Sequence, residues 1–185
     1  MSISNFDFIL NGKILIPLMQ GGMGVNISTA ELALSVASNN GVGHISDAMI
    51  LSVSDDVFKT SYTKKKYFAF RRHHESIIKS DISFDLNHIY SATRSYVENT
   101  INQKKDGLIF VNCMEKLTMG APKETLKSRL NAALDGGIDG ISLSAGLHLN
   151  SLFLIKDNPR FNDVSIGIIV SSKRALEVFI KKIWL

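Results

Sequence analysis

Short apolar runs alternate with longer amphipathic stretches along most of this 185-residue chain. Ile14–Met19, Val42–Ser46, Leu108–Met114, Ile138–Ser144 and Ser165–Val170 are too short for buried helices and predict strands. A helical pattern follows each. Buried strands joined by helices form parallel sheets, so the alternation predicts an α/β fold. Two closures satisfy it, an open doubly wound sheet or a (β/α) barrel. Five units suit the open sheet, because a barrel takes eight strands.

The helices carry their own punctuation. Ser28 or Thr29 opens a helix over Ser28–Asn40, with Glu31 where a capping box places an acid, and Asn39-Asn40-Gly41 ends it. His88–Lys104 aligns Ile89, Thr93, Tyr96, Val97 and Ile101 on one side. Pro122 precedes a helix over Lys123–Asp135 that stops at Gly136-Gly137. A short helix over Leu149–Lys156 ends before Asn158-Pro159, and Ser171-Ser172 caps a last one over Lys173–Ile183. Residues 48–86 are polar, basic and aromatic with no clean period. They exceed an ordinary connection and read as an excursion or lid. No Pro- or Ser-rich linker interrupts residues 1–185, which read as one domain.

Composition excludes several classes. No apolar run approaches the roughly 20 residues of a membrane span. The first residues, MSISNFDFILNGK, lack the pattern of a signal peptide, so a cytoplasmic location is expected. One cysteine, Cys113, excludes an intrachain disulfide and a cysteine zinc site, and its place in LIFVNCM reads as core. The five histidines show no metal-ligand spacing, so no metal is expected. Net charge is +4, with basic residues gathered in Lys64–His74. Tyr67, Phe68 and Phe70 stand among them, as in a single-strand binder, but a solvated face is the expectation and no nucleic-acid partner is assigned.

The sequence IPLMQGGMGVNIS links the first predicted strand to the first helix. In parallel α/β folds ligands bind at that end of a strand. Gly21, Gly22 and Gly24 lack Cβ atoms, so backbone there can approach a flat or anionic ligand closely. The spacing is not the dinucleotide fingerprint, although Asp47 lies close to the place of its ribose-binding acid, and no Gly-Lys-Ser/Thr phosphate loop occurs. Taken alone, the run could equally be a tight turn.

The blocks together resemble a family. KILIPLMQGGMGVNISTAELALSVASNNGVGHIS is similar to the amino-terminal signature of the nitronate monooxygenases, formerly 2-nitropropane dioxygenases. Pro17, Gln20–Gly24 and Gly41–Ile45 match it in order and spacing. IFVNCM resembles the family's Gly-Val-Asn-Ile-Met strand, GGIDGISLSAGLHL its Ser-x-Gly-Ala-Gly-Leu-Pro region, and IGIIVSSKRALEVFIKK its Pro-Ile-Val-Ser-Ser strand and helix. The resemblance covers the chain apart from residues 48–86.

The resemblance implies a (β/α)8 TIM barrel that binds FMN at its C-terminal face and oxidises alkyl nitronates with O2. It thereby overrides the preference for an open sheet. It implies that Met19, Gln20, Gly21, Gly22 and Met23 lie against the flavin ring. Asn112 would offer an amide to a flavin edge, or tie down a loop. Ser144, Ala145 and Gly146 would line the cofactor, with Ser144 standing where the family has glycine. Ser171 would lie near the cofactor or act as a helix cap. His44 reads as core or surface; His73, His74 and His148 receive no role.

The family pattern also contains a Gly-Gly-His run after its sixth strand and phosphate-gripping loops after its last two strands. This sequence has no counterpart to them. No catalytic residue is therefore assigned. The expectation is an incomplete barrel of about five βα units, a truncated copy with reduced or no activity, prone to self-association through open sheet edges. The alternatives are a flavin-dependent enoyl-acyl-carrier-protein reductase relative and a non-catalytic fragment.

Overall fold

The computed structural model describes residues 6–65, 85–115 and 121–183. It opens with an antiparallel hairpin, β1 (Phe8–Leu10) and β2 (Lys13–Leu15). Asn11 and Gly12 turn it at φ 50° and 73°, the left-handed pair that a two-residue hairpin needs. The main body then alternates α1 (Ala30–Ala37), β3 (Val42–Ser46), α2 (Ile50–Phe58), α3 (Leu86–Gln103), β4 (Leu108–Met114), α4 (Pro122–Asp135), β5 (Gly140–Ser144), β6 (Ser165–Ile168) and α5 (Lys173–Ile183). The four strands β3–β6 form one parallel sheet in sequential order, flanked by helices.

Side chains alternate across this sheet and give its two faces different jobs. Ile45, Ile109, Val111, Cys113, Ile141 and Leu143 point to the helices. There they pack with Ala33, Tyr96, Val97, Leu130 and Leu134 in the main core. Gly43 makes the close approach of α1 possible, since a Cβ on it would lie 2.1 Å from the Ala33 carbonyl oxygen. The opposite face is sorted along the strands. Near their N-terminal ends, Val42, Leu108 and Phe110 pack against Leu15 of the hairpin. Farther along come His44, Ser46, Asn112, Ser142 and Ser144, all buried.

The hairpin is fastened beneath that apolar end. Lys13 Nζ donates to the Gly107 carbonyl at 3.1 Å. Asn11 Nδ2 donates to the Asp139 carbonyl at 2.9 Å, and Ser165 Oγ to Asn11 Oδ1 at 2.5 Å. Charge holds the same end: Lys104 pairs with Asp139, whose carboxylate also accepts from the Ile109 N–H at 2.8 Å.

Several sequence expectations change here. Ile14–Met19 is not one parallel strand. Its start belongs to the hairpin, and only Met19 bridges in parallel to Val42 beside β3. The Asn-Gly turn explains the hairpin, and Pro17 has no N–H for a ladder. The helix at Leu149–Lys156 is replaced by one 3-10 turn, Leu152–Leu154, and a second, Phe161–Asp163, follows it before β6. Thr29, not Ser28, caps α1 by accepting from the Leu32 N–H at 3.3 Å. Of the 48–86 segment, α2 is helical, while residues 66–84, including His73, His74 and most of the basic cluster, lie outside the described residues.

Asp55 of α2 organises the turn that follows. Its carboxylate accepts from the Thr60 and Thr63 hydroxyls and from the Tyr62 and Thr63 N–H groups, at 2.5–2.8 Å. No helix among the described residues is long and apolar enough to cross a membrane.

Candidate functional site

The glycine loop folds over the polar end of the hairpin-side face. Pairing with β3 sets its path. Gln20 N–H donates to the Val42 carbonyl at 3.0 Å. The Gln20 side-chain amide then grips the His44 peptide, donating to its carbonyl at 3.1 Å and accepting from its N–H at 3.2 Å. The second Gln20 Nε2 donor turns back to the Gly21 carbonyl. Gln20 therefore acts as a clamp that continues the sheet where Pro17 interrupts it. Ser28 ties the far end, donating to the Gly21 carbonyl at 2.9 Å and accepting from the Gly24 N–H at 3.2 Å.

Between these anchors the glycines do different work. A Cβ on Gly22 would lie 2.6 Å from Asn112 Cβ and 2.9 Å from His44 Cβ, so only glycine lets the loop lie this close to β3 and β4. A Cβ on Gly21 would meet nothing within 4 Å. Met23 follows, and its sulfur accepts from Asn112 Nδ2 at 3.0 Å and Ser144 Oγ at 3.3 Å. Gln20, Gly21, Gly22, Met23, Asn112 and Ser144 are thus brought together toward the C-terminal end of the sheet, whereas Met19 stays beside Val42 at the N-terminal start of β3. Asn112 is only 1% exposed, and its Oδ1 has no hydrogen-bond partner among the described residues. A buried amide oxygen left unpaired is costly and marks a place where a donor fits.

His44 belongs to this cluster, although the sequence reading gave it no ligand role. Strand alternation places it on the face of Asn112. Its Nε2 lies 2.7 Å from Ser142 Oγ, its ring meets Phe110 edge-on at 5.4 Å, and its Nδ1 is unpartnered among the described residues. Burial pushes the imidazole below its ordinary pKa, against a smaller upward pull from the Gln20 backbone, and so favours the neutral form.

Ala145 and Gly146 diverge from Ser144. Ala145 is left-handed at φ 57°, and a Cβ on Gly146 would collide with Glu115 Oε2 at 1.9 Å. That carboxylate accepts from the His148 N–H at 3.0 Å. His148 is buried, with Nε2 2.6 Å from the Ser144 carbonyl and Nδ1 2.9 Å from Ser151 Oγ. Glu115, Ala145, Gly146 and Ser151 edge a neighbouring cleft of about 530 Å³ with Pro122, Lys123 and Phe153. Ser171 is exposed beyond β6. Its neighbour Ser172 makes the cap contact, accepting from the Ala175 N–H.

Behind the cluster, on the helix side, Asp47 forms a buried ion pair with Arg129 of α4. Arg129 also donates to the Met114 carbonyl at 2.9 Å, and Asp47 N–H to the Asn112 carbonyl at 3.2 Å. Burial pushes the Asp47 carboxyl up while the Arg129 guanidinium pulls it down. Asp47 therefore braces the ends of β3 and β4 and does not face a ribose. Cys113 is fully buried beside them, and burial pushes its thiol well up. Among the described residues no group of three His, Cys, Asp or Glu is placed to hold a metal ion.

No protein-family model matches the chain, and no curated protein is significantly similar to it.

Proposed function

We propose that this chain is of the FMN-dependent nitronate monooxygenase type, an oxidoreductase framework for alkyl nitronates and O2 whose activity is reduced or absent for want of a Gly-Gly-His run. The observation that carries the reading is the convergence of Gly22, Met23, Asn112 and Ser144 at the C-terminal end of a parallel sheet, with Asn112 Oδ1 buried and without a hydrogen-bond partner among the described residues. The sequential order β3-β4-β5-β6, with Met19 beside β3, supports a (β/α)8 barrel plan over a doubly wound sheet, whose strand order reverses direction.

The residues fit the ring of a flavin. Its pyrimidine edge alternates carbonyl acceptors with an N–H donor. Asn112 can meet one of each, donating from Nδ2 and accepting at Oδ1. The open space at Gly21 lets loop backbone lie flat against a ring. FMN, when bound, supplies two-electron oxidation of the substrate and passes the electrons to O2. The chain's own residues position that chemistry. Gln20 and Ser28 fix the loop, Gly22 keeps it against β4, and His44 presents a neutral imidazole oriented by Ser142.

Flavin fluorescence titration tests the cofactor, and anaerobic bleaching of the loaded chain by propyl-2-nitronate tests the substrate class. Saturable FMN binding, weakened about tenfold in Asn112→Ala, is expected, with bleaching by nitronate that is slow because no catalytic residue is assigned. Absence of FMN binding refutes the reading. Bound FMN that NAD(P)H reduces and an enoyl thioester reoxidises, with no response to nitronate, replaces it with the enoyl-reductase reading.

A further inference from the structure

The sulfur of Met23 sits where two buried donors meet. Asn112 Nδ2 and Ser144 Oγ approach it at 3.0 and 3.3 Å, from side chains on adjacent strands. Both donor residues are almost fully buried, at 1% and 2% exposure, so the sheet fixes their positions. The acceptor is different in kind. Met23 lies on a loop, the residue is 48% exposed, and three rotatable bonds let its side chain swing. A thioether is also a weak acceptor. Two rigid donors that converge on one movable, poorly matched acceptor describe a position suited to a better acceptor. Oxygen is that acceptor, and the unpartnered Asn112 Oδ1 beside it extends the position to a ligand with a neighbouring N–H.

We infer that Met23 is a resident acceptor: its sulfur holds the place of a ligand carbonyl oxygen and leaves when the ligand binds. The inference rests on the flavin reading for the identity of the ligand. The position itself follows from the two donors. Displacement has a consequence for affinity. Ligand binding must break the two sulfur contacts, so the free chain competes with its own ligand. Replacing Met23 by an apolar side chain of similar volume removes the competitor; in the free state Asn112 Nδ2 then loses its acceptor, while Ser144 Oγ keeps the Cys113 carbonyl at 3.5 Å.

Two experiments separate this inference from the flavin reading. In the first, FMN is titrated into the native chain and Met23→Leu, with circular dichroism confirming that both are folded. Met23→Leu is expected to bind FMN about twofold to tenfold more tightly. Equal or weaker binding by the variant overturns the inference, because the sulfur is then idle or a contact to the ligand. The second needs no flavin. The native chain and Ser144→Ala are treated with hydrogen peroxide, and sulfoxide formation at each methionine is followed by peptide mass spectrometry. Met19 and Met49 are internal references, since their exposures of 56% and 58% resemble that of Met23. Met23 is expected to oxidise severalfold more slowly than both in the native chain, and its rate to rise in Ser144→Ala. Oxidation of Met23 as fast as its references overturns the inference. If neither chain binds FMN while Met23 is protected, the flavin reading fails and the resident acceptor stands for another carbonyl ligand.

Discussion

Adding one methyl group at Gly22 or at Gly21 should have opposite consequences, although the residues are adjacent. At Gly22 the new Cβ would lie 2.6 Å from Asn112 Cβ and 2.9 Å from His44 Cβ. Comfortable carbon contact needs about 3.5–4.0 Å, so the loop must lift by about 1 Å. No rotamer change relieves the clash, because both opposing atoms are Cβ atoms carried by sheet backbone. Lifting also stretches the 3.0 Å contact between Asn112 and Met23 past hydrogen-bond range. Overpacking costs about 1–3 kcal/mol and each lost hydrogen bond about 0.5–1.5 kcal/mol, which gives about 2–4 kcal/mol for Gly22→Ala. At Gly21 a Cβ meets nothing, so Gly21→Ala should stay within about 0.5 kcal/mol of the native chain. Urea unfolding measures the difference. With a slope near 2 kcal/mol per molar, the Gly22→Ala midpoint should fall by about 1–2 M at unchanged slope. Equal midpoints for the two variants would refute the packing account of the loop.

Arg129→Met should destabilise the chain by about 3–5 kcal/mol in the same assay, because it leaves the buried Asp47 carboxylate without its partner. The double variant Asp47→Leu with Arg129→Met should lose less than the single one, and a larger loss would show that the pair does more than neutralise itself. Asp55 supplies a pH dependence. Burial raises its pKa, but hydrogen bonds from Thr60, Thr63 and Tyr62 outweigh this and bring it down to about 2 from 3.8. The folded value lies below the unfolded one, so its contribution is complete above about pH 4 and is lost as pH falls toward 2. Asp55→Ala should therefore be less stable than the native chain at neutral pH, with the two converging by pH 2. Parallel acid-unfolding curves would contradict the assignment.

Periodicity made much of this fold legible. Val42–Ser46 and Leu108–Met114 occur as expected because five to seven buried residues between turn signals admit little but a strand. The last helix, Lys173–Ile183, was equally clear from its serine start and amphipathic stripe. The apolar pattern alone assigns no strand before Ile14, although Asn11-Gly12 is the dipeptide of a two-residue hairpin turn. Helix periodicity failed at Leu149–Lys156, where single 3-10 turns leave too short a stripe to distinguish.

The site was legible in part. Motif order pointed to Met19–Met23, Asn112 and Ser144; the fold brings Gln20–Met23, Asn112 and Ser144 together and leaves Met19 beside Val42. Motif order could not show that Gln20 spends its amide on the His44 peptide, or that Gly146 turns toward Glu115, since both depend on contacts across strands. His44 was within reach of simple alternation: counting in twos along β3, with the β3–β4 register, places it on the Asn112 face. Alternation likewise sends Asp47 to the helix side and to Arg129, in keeping with the absence of a dinucleotide fingerprint.

The most direct test of a flavin ring seated against this loop is the visible absorbance spectrum of the chain after incubation with FMN and desalting. Retention of the flavin bands by the native chain, and their loss in Asn112→Ala at unchanged folding, is the predicted result. A folded native chain that emerges colourless, or equal retention by the two proteins, would contradict the assignment of Asn112 and the glycine loop to the flavin.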